Sequence, residues 1–214
     1  MKKLLLILGM MSFNFLIAQG LDENLVTVLD TIHFNDQKYR SVAQEIQEKY
    51  GSDSQEAEDN WRKKLYADSM NLVKVKDIID TRGWLGSEII GKKGNKTLFL
   101  VIQHADIKTQ EKYLPILKKA VQEGNAKPQY FALLKDRVLL RQGEKQIYGS
   151  QLAMNYRTNE WELSPMIDPD YVDKRRHDMG LDSLHVYLRI WDLIFDVEEF
   201  KERMKVYDSK ENKK

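Results

Sequence analysis

The chain has 214 residues, with 34 Lys and Arg, 33 Asp and Glu, four His and no Cys. Its length and its 42% hydrophobic content are enough for the core of one globular domain, or of two small ones. The absence of Cys excludes disulfide-stapled folds and Cys-based metal sites. A formal net charge of +1 provides no broad attraction to nucleic acid or anionic lipid, so we expect neither as a partner.

The N-terminus has the three regions of a secretory signal peptide. Two lysines precede the apolar stretch Leu4–Ile17, and the small residues Ala18–Gly20 follow it. An apolar helix of about 14 residues covers roughly 21 Å, short of the ~30 Å hydrocarbon core of a bilayer. We therefore expect export to the periplasm or beyond, with residues 1–18 removed near Ala18 and no stable membrane anchor left. An uncleaved anchor is the alternative, because Leu16 replaces the small residue expected there.

The first part of the mature chain has helical periodicity. Apolar residues recur at helical spacing over Leu21–Tyr50, and the polar pair Asn35-Asp36 predicts a break between two helices. A further helix is predicted from Gln55 to just before Gly83. The stretch Gly83–Asn95 contains four glycines, which predicts a loop or a series of turns.

The middle of the chain predicts three further helices. Thr97–Ala105 is apolar at most positions and is interpreted as a central helix, with a buried strand as the alternative. Asp106 is a candidate N-cap for a helix that ends near Gly124. Pro128 and Gly143 bracket the next helix in the order that helices prefer.

The C-terminal part combines a hairpin with shorter helices. Residues 146–165 lose the helical period and predict a small hairpin. A helix is predicted over Asp168–Gly180 and a final one over Leu184–Met204, followed by a disordered tail at 208–214. The predicted fold class is therefore mostly α, a compact single helical domain over residues 19–207 with a small β-hairpin near residues 146–165.

Polar residues on apolar segments mark a candidate site. A helical wheel places Asp136 and Arg137 among leucines, and neighbours in sequence point about 100° apart, so these two residues cannot satisfy each other. Gln103 and His104 end the apolar Thr97 segment and also need partners. Because burying an unpaired charge costs several kcal/mol, we predict that His104, Asp136 and Arg137 meet in space, either in a structural network or in a site.

Other polar residues allow both a structural and a functional interpretation. Asp106 is either the N-cap described above or a carboxylate that orients His104. Gln146, Tyr148 and Gln151 surround Gly149 in a turn, where they cap backbone groups or orient a polar ligand. Arg175 and Arg176 lie late in a short helix, where the helix dipole favours cations whether or not an anion binds.

The sequence lacks the residues and motifs that several types of enzyme require. It has no Cys nucleophile, Gly-x-Ser-x-Gly elbow, phosphate-binding loop or His-Glu-x-x-His zinc motif. His104 and Asp106 could ligate a metal, but no further cluster accompanies them. We therefore expect no metal and no cofactor.

Short blocks of sequence resemble a bacterial family known as domain-of-unknown-function family 6624. The blocks are Gln103–Asp106, Gln110, Leu114-Pro115, Asp136–Val138, Gln146–Gln151, Ile167–Pro169, Val172-Asp173, Arg175-Arg176 and Gly180-Leu181. They cover about residues 83–187, and Ser150 stands where family members often carry Thr. The resemblance implies no activity. It does imply one constellation formed by Gln103, His104, Asp106, Asp136, Arg137, Tyr148 and Gln151.

Three functions remain open from the sequence. The first is binding of a small polar or anionic ligand by the cluster of polar residues described above, here called the polar centre. Its candidate binding residues are Gln103, Gln110, Arg137, Gln146, Tyr148, Gln151, Arg175 and Arg176. The second is a metal-independent hydrolase, in which His104 acts as general base and Asp106 or Asp136 orients it. The third is a structural or interaction domain whose polar centre only fixes the packing.

Overall fold

The computed structural model describes residues 20–155, 157–158 and 160–211. The described residues are 70% helical and include a two-stranded antiparallel hairpin, which confirms the predicted fold class. The predicted signal peptide lies outside the described residues. Among the helices that are described, none combines the length and the apolar character needed to cross a membrane.

The elements follow one another in a simple order. The helices are α1 (Glu23–Ser41), α2 (Ala43–Tyr50), α3 (Gln55–Arg82), α4 (Ser87–His104), α5 (Ile107–Gln122), α6 (Pro128–Arg141), α7 (Val172–Asp178), α8 (Leu184–Arg189) and α9 (Val197–Glu211). Strands β1 (Leu152–Asn155) and β2 (Glu160–Leu163) pair with Leu152 opposite Leu163, inside the predicted hairpin region. A 3-10 turn at Pro169–Tyr171 precedes α7.

The predicted break at Asn35-Asp36 is wrong, because α1 continues through it to Ser41. A polar residue interrupts a helix when its side chain competes for nearby backbone groups. The Asp36 carboxylate instead points to partners on another helix, as described below. Val42 caps the C-terminal end of α1, and α2 begins at the next residue.

The predicted loop at Gly83–Asn95 is also largely wrong. Helix α4 already begins at Ser87, and Gly91 places a kink in it with φ 69° and ψ 163°. A Cβ atom at Gly94 would come within 3.0 Å of the Leu29 side chain. The glycines therefore allow a kink and a close approach of α1 to α4. The central helix over Thr97–Ala105 is confirmed and its strand alternative is wrong, since α4 runs to His104.

The predicted final helix at Leu184–Met204 is two helices, α8 and α9. Asp192 between them adopts a left-handed φ of 54°, which no helix accommodates. The Asp196 carboxylate then accepts hydrogen bonds from the backbone N–H groups of Glu198 and Glu199, both at 2.9 Å, and so starts α9. The predicted tail is helical as far as Glu211, and residues 212–214 lie outside the described part.

The buried apolar residues form two clusters. The larger cluster joins α1, α3, α4, α5 and α6, with α4 contacting α1, α3 and α5. The smaller cluster joins the hairpin to α7, α8 and α9. The turn at residues 146–151 lies in sequence between the parts of the chain that supply these clusters, and Arg137 binds both this turn and the C-terminus of α4. The candidate polar residues are concentrated there.

Candidate functional site

His104 is the last residue of α4 and contacts a buried carboxylate. Its Nδ1 lies 2.9 Å from Oδ1 of Asp36, a side chain on α1 that is only 1% exposed. The His104 side chain is 18% exposed. Within the described residues, no protein group forms a hydrogen bond with Nε2 of His104. One ring nitrogen is thus held, while the other is available to a ligand or to water.

Asp36 is held in its ionised form. Burial alone would raise the pKa of this carboxyl group, but the hydrogen bond with His104, the charge that this imidazole carries when protonated, and the charge of Arg40 bring the pKa below its ordinary value. Gln37 donates to Oδ2 at 2.6 Å, and Nη1 of Arg40 lies 3.5 Å from Oδ1. An ionised Asp36 requires the proton on Nδ1 of His104, which makes Nε2 of the neutral ring an acceptor.

Arg137 on α6 is a partly buried cation at the same end of α4. It donates from Nη1 to the carbonyl oxygen of Gln103 and from Nε to Oε1 of Gln151, both at 3.2 Å. No carboxylate of the described chain lies within 4.0 Å of it. Burial, followed by the like charges of Arg141 and Arg40, lowers its pKa. Its positive charge is therefore not neutralised by a protein partner.

These contacts bring His104 and Arg137 to one place, here called the α4 terminus site and defined by Gln103, His104, Arg137 and Gln151. Arg137 binds the carbonyl of the residue directly before His104. Arg40, which flanks the His104 partner Asp36, is near enough to Arg137 to lower its pKa. In addition, Oε1 of Gln103 is buried and has no hydrogen-bond partner among the described residues. The site thus has donors, an acceptor and one unneutralised cation.

Asp136 is fully buried, but its partners are not the predicted ones. Its carboxylate accepts hydrogen bonds from the backbone N–H groups of Ile147 at 2.7 Å, Tyr148 at 3.1 Å and Ser150 at 3.0 Å. Burial raises its pKa, while these N–H groups act in the opposite direction. Across the described chain, no hydrogen bond or ion pair joins it to His104 or Arg137. The predicted three-way contact is therefore wrong for Asp136, because a turn supplies its partners.

The Gln146 side chain also stabilises the turn, because both its amide oxygen and its amide nitrogen form hydrogen bonds with the backbone. Its Oε1 accepts from the backbone N–H of Gln151 at 2.9 Å. Its Nε2 donates to the carbonyl oxygens of Gln151 at 3.0 Å and Ser164 at 2.9 Å. Gly149 adopts φ 63°, a positive angle that glycine accommodates without steric cost. This geometry matches the backbone-capping alternative for the fully buried Gln146.

The turn is closed from the other side by arginines of α7. Arg176 donates to the carbonyl oxygen of Tyr148 at 2.7 Å, and Arg175 donates to that of Ile147 at 2.8 Å. The Tyr148 phenol has no hydrogen-bond partner within the described residues, and burial with the charge of Asp136 raises its pKa. Because Arg175 and Arg176 both bind backbone carbonyls, less of their hydrogen-bonding capacity is left for an anion.

Two further candidates have local partners. Asp106 is confirmed as the N-cap of α5, since its Oδ1 accepts from the backbone N–H of Thr109 at 2.9 Å, and this bond lowers the pKa of Asp106. Gln110 is fully buried and donates to the carbonyl oxygens of Gln103 at 2.7 Å and Ala105 at 3.2 Å. Its Oε1 has no hydrogen-bond partner in the part of the chain that the structure describes. Gln110 thus binds the backbone at the C-terminal end of α4, next to the α4 terminus site.

Sequence reasoning missed Asp36 and Arg40, which supply the carboxylate for His104 and a neighbouring charge. The periodicity of α1 contains a signal for Asp36: Leu29, Ile32 and Asp36 are spaced i, i+3 and i+7, and all three are buried. A helix drawn through Asp36 would have placed it on the core-facing stripe. In the described part of the chain, no group of three or more His, Asp and Glu side chains is arranged to hold a metal.

Comparison with known proteins identifies the family. The model of a family of unknown function, DUF6624, matches residues 24–199, so the chain belongs to this family. The match begins well before the predicted start near residue 83 and includes α1 with Asp36. No protein with a curated description and no solved structure matches the chain.

Proposed function

We propose that the protein binds a small anionic ligand at the α4 terminus site. The observation that carries this proposal is Arg137, a partly buried guanidinium with no carboxylate within 4.0 Å among the described residues. A buried charge without a counter-charge is costly, and a bound anion would remove that cost. A carboxylate or phosphate also matches the planar donors of a guanidinium.

The neighbouring groups narrow the chemistry of the ligand. Oε1 of Gln103 is a buried acceptor without a partner in the described structure, and the Asp36 contact makes Nε2 of a neutral His104 a second acceptor. An acceptor is satisfied only by a donor. The ligand class that fits is therefore a small anion that also carries hydroxyl groups, such as a hydroxy acid or a sugar phosphate.

Calorimetric titration of citrate and of glucose 6-phosphate into the protein tests this proposal. Arg137→Gln should weaken binding at least tenfold, because it removes the only charge assigned to the anion. Arg141→Gln is the matched control. Arg141 lies one turn along α6 and is exposed, and its contact with the carbonyl of Ala105 resembles that of Arg137 with Gln103. Equal losses in the two variants, or no binding of either probe to the wild type, would contradict the proposal.

Hydrolysis is the second candidate function, and the Asp36–His104 pair favours it. A carboxylate on Nδ1 leaves Nε2 able to take a proton from water while the water oxygen attacks an ester carbonyl or a phosphorus atom. The proton then passes to the departing alkoxide, so that an acid and an alcohol are released. Arg137 would stabilise the negative charge that develops at the reacting centre.

Turnover of anionic esters separates the two candidates. With p-nitrophenyl phosphate and p-nitrophenyl succinate as probes, Asp36→Asn should lower kcat by at least about a hundredfold, since Asn no longer fixes the tautomer of His104. Inhibition by citrate should stay within about threefold, since Arg137 remains. If citrate binds to the protein and neither ester is cleaved, the binding function stands and the hydrolytic one fails.

We further propose that the protein acts outside the cytoplasm, which rests on the lysines and the apolar stretch of residues 1–20. Sequencing the N-terminus of the protein recovered from an exporting bacterial host tests this. The expected N-terminus is Gln19. Recovery of the intact chain in the membrane fraction would contradict cleavage.

A further inference from the structure

We propose that a groove between α1 and α3 binds an extended acidic peptide segment of a partner protein. The groove encloses about 500 Å³. Its basic residues are Arg62, Lys63 and Lys74, and no carboxylate lines it. Asp36 and Arg40 on α1 face His104 and Asp68 instead of this groove. The inference is therefore independent of the α4 terminus site.

Two unneutralised lysines set the charge of the occupant. Neither Lys63 nor Lys74 has a carboxylate within 4.0 Å in the described part of the chain, whereas Arg62 pairs with Asp59 at 2.7 Å. The lysines lie eleven residues apart on α3, which corresponds to about 16 Å along a helix. An extended chain advances about 3.3 Å per residue. Two acidic side chains about five residues apart therefore match the lysine positions.

Between the two lysines the wall of the groove is apolar. Tyr66 and Met70 lie on the same face of α3, one and two turns after Lys63, and are 70% and 46% exposed. Large apolar side chains clustered on a surface mark interaction sites more often than isolated ones do. Side chains between the acidic residues of the occupant should therefore be apolar, with Tyr66 and Met70 as their contacts.

Amide groups distinguish a peptide from a lipid as the occupant. Asn35 and Asn71 line the groove from the two helices, and Asn71 is only 2% exposed. Nδ2 of Asn71 makes a long hydrogen bond of 3.4 Å to the carbonyl of Ile32, and its Oδ1 accepts none from the described residues. Peptide N–H and C=O groups can satisfy such amides, but an acyl chain would leave them without partners.

The probe is a fluorescein-labelled peptide, Glu-Ser-Leu-Phe-Ser-Glu, measured by fluorescence anisotropy with the protein. The matched peptide Lys-Ser-Leu-Phe-Ser-Lys keeps the length and the apolar centre and reverses the end charges. The double variant Lys63→Glu/Lys74→Glu tests the groove. Lys108→Glu/Lys118→Glu makes the same charge change at exposed positions of α5. Circular dichroism of both variants establishes that they are folded.

We expect saturable binding of the acidic peptide, at least tenfold weaker binding of the basic peptide, and at least tenfold weaker binding by the Lys63→Glu/Lys74→Glu variant. The α5 variant should remain within threefold of the wild type. Equal affinity for both peptides, equal losses in both variants, or no saturable binding would overturn the inference. Binding of phosphatidylglycerol vesicles that depends on Lys63 and Lys74, without peptide binding, would assign the groove to a membrane and also overturn it.

Discussion

Asp36 and Asp136 are both buried carboxylates, but they lie in regions of different character. Asp136 receives backbone N–H groups from Ile147, Tyr148 and Ser150, so it is part of a closed turn. Asp36 is bound by side chains instead, those of Gln37 and His104, and the imidazole of His104 has a second nitrogen without a protein partner in the described chain. Their pKa values shift in opposite directions, upward for Asp136 and downward for Asp36.

The difference separates structural polar groups from functional candidates. In the Asp136 region, each carboxylate oxygen has a fixed backbone donor and arginine side chains hold the carbonyls of the turn. In the α4 terminus site, the charge of Arg137 has no carboxylate partner and the side-chain oxygen of Gln103 has no hydrogen-bond donor among the described residues. Natural proteins leave few buried polar atoms unsatisfied. Unsatisfied groups that cluster around a partly exposed histidine therefore point to a ligand.

Asp136→Ala should give the largest loss of stability, roughly 3 to 5 kcal/mol in the free energy of unfolding. The substitution leaves three backbone N–H groups without their acceptor, and each such loss costs about 1 to 3 kcal/mol. Urea denaturation followed by circular dichroism measures the effect. Asp136→Asn retains one acceptor oxygen and should lose less. A loss below about 1 kcal/mol for the alanine variant would show that the turn does not depend on this carboxylate.

Gln146→Ala should cost about 2 kcal/mol, a smaller loss in the same region. Its side chain supplies three hydrogen bonds to the backbone of Gln151 and Ser164, but these are between neutral groups. The same urea titration measures the loss. Gln142→Ala is the control, since the amide of Gln142 contacts Glu111 at an exposed position. Equal stabilities of the two variants would refute a structural role for Gln146.

His104→Ala should lower the free energy of unfolding by no more than about 1 to 2 kcal/mol, the usual range for one substitution. Asp36 keeps Gln37 and Arg40 as partners when the imidazole is removed. The expected order, with Asp136→Ala much worse than His104→Ala, follows from the two kinds of network. The reverse order would remove the distinction between them.

The opposite pKa shifts predict a specific acid response. Because the pKa of Asp36 is lowered by folding, its contribution to stability is present above the unfolded pKa of about 3.9 and is lost as the pH falls through the folded value. The difference in unfolding free energy between wild type and Asp36→Asn should therefore shrink between pH 6 and pH 3. A carboxyl-carbon NMR titration should place Asp36 below its ordinary pKa and Asp136 above it. Equal pKa values would be inconsistent with this assignment.

The periodicity of the apolar residues predicted the helical class, the hairpin region and the central helix. It could do so because the spacing of apolar residues directly reflects burial. The kink at Gly91 and the break at Asp192 did not, because glycine and aspartate also occur within or beside helices when tertiary contacts favour it. Among the candidate residues, the burial of Asp136 was predictable from its helix, but its backbone partners were not. Side-chain pairing across distant segments depends on the assembled fold, so the sequence identified His104 without identifying Asp36.

The central claim, that the α4 terminus site takes an anion and the Asp136 turn does not, is tested most directly by NMR. Citrate is titrated into isotopically labelled protein while backbone amides and the imidazole of His104 are observed. We predict saturable shifts at Gln103, His104 and Gln151 with one common Kd, and much smaller shifts at Ile147 and Tyr148. Shifts of equal size in both regions, or no saturable shift at His104, would contradict the account.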